Sequence, residues 1–152
     1  MSGVEGALGV QLAGRDRTVR LAVHALVVLS ALAILGLGGW MWGWPDNFAA
    51  YVNFPNHVHF LHDMGVYHLG VALGLLLALV KRDAIFVVMV AFAAINVLHA
   101  FNHVLDRDLG GHPSDPYVIG VQALLAGAGA VLRAYQLRAQ QRRADEREAA
   151  HR

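Results

Sequence analysis

Four stretches of about 20 apolar residues, at 21–42, 58–80, 84–105 and 117–132, constrain this chain more than any other feature of it. A helix of that length crosses a hydrocarbon layer of about 30 Å while satisfying its own backbone hydrogen bonds. The expected fold is therefore all-α, an integral membrane four-helix bundle. Composition agrees: 57% of the 152 residues are hydrophobic and 15% charged, a surplus suited to surface that faces lipid. The first stretch is too long for the core of a signal peptide. It runs into Trp42-Gly43-Trp44-Pro45-Asp46 instead of a small-residue cleavage site, so it is expected to be retained.

Orientation follows from lysine and arginine in the short flanks, which stay on the cytoplasmic side. Arg15, Arg17 and Arg20 precede the first span, Lys81 and Arg82 join the second to the third, and Arg133, Arg138, Arg142 and Arg143 follow the fourth. The connection 43–57 has neither Lys nor Arg, and 106–116 has Arg107 alone among Asp106, Asp108 and Asp115. Both termini are expected in the cytoplasm of a cell whose plasma membrane the chain spans. The organisation is then a cytoplasmic segment 1–19, a membrane domain 20–135 and a charged cytoplasmic tail 136–152. A net charge of +1 leaves no broad basic surface for nucleic acid, so the one partner expected is the lipid bilayer.

The outer connection carries Trp40, Trp42, Trp44, Phe48, Tyr51 and Phe54, side chains that favour the headgroup level. Pro45 can open a short interfacial helix bearing Phe48, Tyr51 and Val52, with Pro55 ending it. Gly70 with Gly74, and Ala123 with Gly127, have the small-residue spacing that lets helices approach closely.

The chemistry-bearing residues fall on the second and third spans. His57, His59, His62, Asp63, Tyr67 and His68 open one; Asn96, His99, Asn102, His103 and Asp106 close the other. At about 100° per residue, Asn96, His99, Asn102, His103 and Asp106 share one face. His59, His62 and Asp63 share an arc with Val66 and Gly70, and His68 points the other way. Joined by a short turn, the two helices are expected to be antiparallel neighbours whose polar faces meet in the outer half of the bilayer.

Ionisable groups inside a span cost about 2.5–3.5 kcal/mol each on insertion scales, so a dense cluster calls for partners or a ligand. With no cysteine, metal ligands must be nitrogen or oxygen. The main expectation is a transition metal, one of zinc, iron, copper or manganese, held by His59, His62, Asp63, His99, His103 and Asp106, possible in a small metalloenzyme. A second reading is a haem between His62 and His99 or His103, with electron transfer as its task. A third is a proton relay, and a fourth a hydrogen-bonded scaffold without ligand or catalysis. His24 and His112, taken singly, read as ordinary hydrogen-bonded side chains.

The run His59-Phe-Leu-His62-Asp63-Met-Gly65-Val-Tyr67-His68-Leu69-Gly70, followed by His99-Ala-Phe-Asn102-His103, resembles an uncharacterised family of small four-helix integral membrane proteins common in actinobacteria. His59, Asp63 and Gly65 match its first motif and His99 and His103 its second. The resemblance spans about residues 55–110, implies the same topology and brings no activity with it.

Overall fold

The computed structural model describes residues 2–152, with side chains from Gly14 onward. Five α-helices carry the fold: α1 (Ser2–Gly43), α2 (Pro45–Val52), α3 (Val58–Val80), α4 (Ile85–Leu105) and α5 (Asp115–Ala150). A single 3-10 turn, Arg82–Ala84, joins α3 to α4. Four of these helices, all but α2, are long and apolar enough to cross a membrane. Large apolar side chains stand exposed along them, Val80, Val87, Leu98, Val121 and Leu124 among them, a surface compatible with contact to lipid.

α1 and α5 exceed a membrane span. With 42 and 36 residues they extend about 63 and 54 Å at 1.5 Å per residue, against about 30 Å of hydrocarbon. Beyond the other helices they continue side by side as a two-helix stalk. Arg143 pairs with Asp16 at 2.6 Å, and Arg15 donates to the Tyr135 hydroxyl at 2.7 Å with its guanidinium over that ring. The charged tail is thus a continuation of α5. At the root of the stalk Arg133 is buried, donating to the Arg82 carbonyl at 3.0 Å and to Gln136 at 3.2 Å, which ties α5 to the α3–α4 turn.

Helix pairing departs from expectation. α3 packs along α1, α4 along α5, and α1 along α5, whereas α3 and α4 share only a short line of contact. Glycine is the physical reason on the first pair. A Cβ on Gly38 would lie 2.8 Å from the His68 Cβ and 2.9 Å from the Gly65 oxygen; one on Gly65 would meet the Gly38 oxygen and the Trp42 nitrogen at 2.9 Å. The two backbones touch there as only glycines allow. On the second pair, Gly129 receives the Met89 side chain, and Ala126 and Ala130 are buried beside it. Strong pairing at both sides draws α3 and α4 apart from their common turn and leaves a cleft.

The expected packing role of Gly70 and Gly74 is corrected, since a Cβ at either would meet nothing within 4 Å. Ala123 is buried, but Gly127 is likewise open. α2 starts as expected, with Pro45 in its first turn, but Asn53, in the left-handed conformation at φ 56°, closes it ahead of the expected Pro55. Phe48 and Ala49 are buried against Met41 and Leu61, while Trp40 stacks edge-on to Phe48 and donates from Nε1 to Asn47 at 2.9 Å.

A histidine pair between two cavities

α3 turns its Gly65 face to α1, with Leu61, Ala72 and Leu75 buried along it. Because the helix advances about 100° per residue, the arc of His59, Asp63 and Gly70 is forced to the far side. His59 and Asp63 pair there at 3.6 Å with side chains 84% and 57% exposed. His62 is half-buried and lines neither cavity described below. His57 caps the helix instead, its Nδ1 accepting from the Phe60 N–H at 3.1 Å. The expectation that the polar arc of α3 faces α4 is therefore corrected: backbone contact at glycine, and not polarity, sets the rotation of α3.

The residue that does face α4 is His68. With Met64, Tyr67 and Val71 of α3, Ile34 of α1, and Phe92, Ile95, Asn96 and His99 of α4, it lines a cavity of about 160 Å³ in the cleft. Its Nδ1–H donates to the Met64 carbonyl at 2.6 Å. In a neutral imidazole this leaves Nε2 as the acceptor. His68 lies ten residues past Val58, about 15 Å down the helix, which is half the thickness of a bilayer core.

On α4 the expected face divides: Asn96 is buried and His103 half-buried, while His99, Asn102 and Asp106 are exposed. Asn96 is buried at 5% and donates to the Phe92 carbonyl at 2.8 Å. One turn on, His99 and His103 meet with their Nε2 atoms 3.1 Å apart, a hydrogen-bond distance between two ring nitrogens. Asn102 and Asp106 stand exposed, and the Asp106 backbone merely closes the helix onto Asn102.

His103 also lines a second cavity, of about 400 Å³, at the end of the bundle that carries α2 and the 106–114 loop. Arg107, Asp108, His112 and Tyr117 share this wall. The contact between the two histidines thus joins a residue of the loop-end cavity, His103, to a residue of the cleft, His99. Asp115, at the start of α5, brings its Oδ2 to 3.8 Å from His103 Nδ1, both side chains being mostly buried, and accepts the His112 N–H at 2.7 Å. Gly110 and Gly111 make this approach possible at φ 134° and 84°, values that side-chain-bearing residues rarely adopt.

His112 has a mechanical role beyond an ordinary hydrogen bond. Its Nε2–H donates to the Tyr51 carbonyl at 2.6 Å, and the Gly111 N–H reaches the Asn53 carbonyl, so the 106–114 loop is latched onto α2. His112→Ala removes a bond of about 1 kcal/mol. Amide exchange over residues 45–57 is expected to quicken about fivefold, as read by hydrogen–deuterium exchange with mass spectrometry. His24 is the ordinary case, donating from Nδ1 to the Arg20 carbonyl at 2.7 Å.

Of the six residues expected to bind a metal, the structure brings His99 to His103 and His59 to Asp63, and keeps the two pairs separate. Among the described residues no group of three or more His, Asp or Glu converges as a metal site. Searches of protein families, curated proteins and solved structures find no match to this chain.

Proposed function

We propose that this chain is a multi-pass plasma-membrane protein in which the His99–His103 pair relays protons between the outer aqueous face and a lipid-facing cleft midway through the bundle. The supporting observation is the 3.1 Å contact between a histidine that lines the loop-end cavity and one that lines the cleft. Imidazole suits the task because it accepts a proton on one nitrogen while releasing one from the other. A proton reaching His103 Nδ1, beside Asp115, lets His103 Nε2 pass its own to His99 Nε2. His99 then releases its Nδ1 proton into the cleft, where the His68 Nε2 is an open acceptor. Below the cleft, Ala72–Val80 of α3 and 85–95 of α4 hold no ionisable residue, so the relay ends there and serves what the cleft contains.

A second reading, a metal on the same pair, is favoured by one distance. Two nitrogens on a tetrahedral ion with bonds of about 2.0 Å lie about 3.3 Å apart, close to the 3.1 Å observed. Two protein nitrogens would leave half of such a shell to water or ligand. The haem reading fits less well: a space of about 150 Å³ holds one benzene ring, and a porphyrin has four pyrroles to the cleft's 160 Å³.

Nitrogen-15 NMR of histidine-labelled protein in lipid nanodiscs, with elemental analysis of the same sample, tests these readings. The relay predicts a metal-free pair that shares one proton, seen as coupling between the two Nε2 nuclei. A stoichiometric ion that disappears in His99→Ala moves the assignment to the metal. Two uncoupled rings and no metal overturn both.

A further inference from the structure

The cleft is small, with room for one ring, and its depth along the helices restricts what can reach it. Its volume of about 160 Å³ is close to the roughly 150 Å³ that accommodates a single six-membered ring. Ile34, Val71 and Ile95 provide aliphatic walls, and Phe92, 2% exposed, an aromatic one. Met64 adds a thioether, which favours contact with an aromatic edge. Three polar residues, His68, Asn96 and His99, interrupt this lining.

His68 selects the functional group. With Nδ1–H engaged by the Met64 carbonyl, its remaining nitrogen accepts and does not donate. At His68 a carbonyl or ether oxygen would set lone pair against lone pair, whereas a hydroxyl can donate to His68 and at the same time accept from the Nδ1–H of His99. A carboxylate or phosphate would be a charge brought about 15 Å into hydrocarbon with no lysine or arginine in the lining. The sparse contact between α3 and α4 leaves the side of the cleft open, and Tyr67, 71% exposed, stands at its edge.

We propose that the cleft seats the head of a membrane-soluble phenol or hydroquinone, its hydroxyl on His68 and its tail leaving between α3 and α4. This deepens the relay reading and rests on it for one point only: the hydroxyl oxygen takes the proton that His99 releases as the hydroxyl's own proton passes to His68 Nε2, so the ligand ends neutral. Ring fit and hydroxyl recognition stand on the cleft itself.

The test compares 4-nonylphenol with its methyl ether and with nonylbenzene, titrated into protein-loaded nanodiscs with empty nanodiscs subtracted. Saturable binding of the phenol at least tenfold tighter than of either control is expected, as is loss of that preference in His68→Leu. Equal binding of phenol and ether, or no saturable binding, overturns the proposal on the wild-type chain, with no variant required to fold. Histidine NMR on the same samples separates the two ideas. If the phenol binds with its preference while His99 does not respond to outer pH, the relay fails and the ligand stands. If His99 responds and the phenol shows no preference, the ligand fails alone.

Discussion

Gly65→Val should separate α1 from α3 and lower stability by about 3 kcal/mol or more, at the upper end of overpacking costs. The added Cβ would lie 2.9 Å from the Gly38 carbonyl oxygen and from the Trp42 backbone nitrogen. Both are atoms of a helix that cannot yield without moving as a whole. Gly36→Val supplies the contrast: it lies on the same helix as Gly38, is exposed, and a Cβ there meets nothing within 4 Å, so a change below about 0.5 kcal/mol is expected. Denaturant titration in mild detergent, followed by circular dichroism, measures both. The effect reaches the site because a Cβ on Gly38 would lie 2.8 Å from the His68 Cβ. Gly38→Ala should therefore disturb the His68 resonances even where the fold survives.

His103→Phe should cut the relay while keeping a ring in place. The variant removes the nitrogen that contacts His99 Nε2 at 3.1 Å and the one that faces Asp115 at 3.8 Å, and leaves that mostly buried carboxylate without its imidazole neighbour. A stability loss of about 1–3 kcal/mol is expected from the orphaned polar groups. The functional effect should be larger: proton exchange at the His99 ring with outer water slows at least tenfold. Selective nitrogen-15 exchange spectroscopy reads this directly. Unchanged exchange would mean that protons reach His99 by another route.

Much of this arrangement can be read from residue order alone. Span length and apolarity mark the four long helices, and Pro45 marks the start of α2, because these are local properties of the chain. The alignment of Asn96, His99 and His103 along one side of α4 is legible for the same reason, as they recur at helical spacing. α3 misleads because two signals compete on it. The polar arc of His59, His62 and Asp63 lies near a helix end, where water or headgroups can solvate it, so it need not turn inward. Gly65 marks the other side, and the closeness of its contact with Gly38 depends on a helix that comes before it in sequence. That contact also hides the importance of His68, which lies apart from the polar arc yet lines the cleft. Asp115 carries still less signal. It reaches His103 through the Gly110–Gly111 turn, and no periodicity links an aspartate that opens the next helix to a histidine twelve residues earlier.

The connection of His99 to the outer face is best tested by a pH step applied to one side of the membrane only. Histidine-labelled protein would be placed in right-side-out vesicles with a buffered interior, and the ring nitrogens of His99 and His103 followed as the external pH falls from 8 to 5. The account predicts that both rings follow the external pH together, and that His103→Phe breaks the link for His99. Rings that hold their signals while the outside is acidified, or that follow the interior instead, would contradict it.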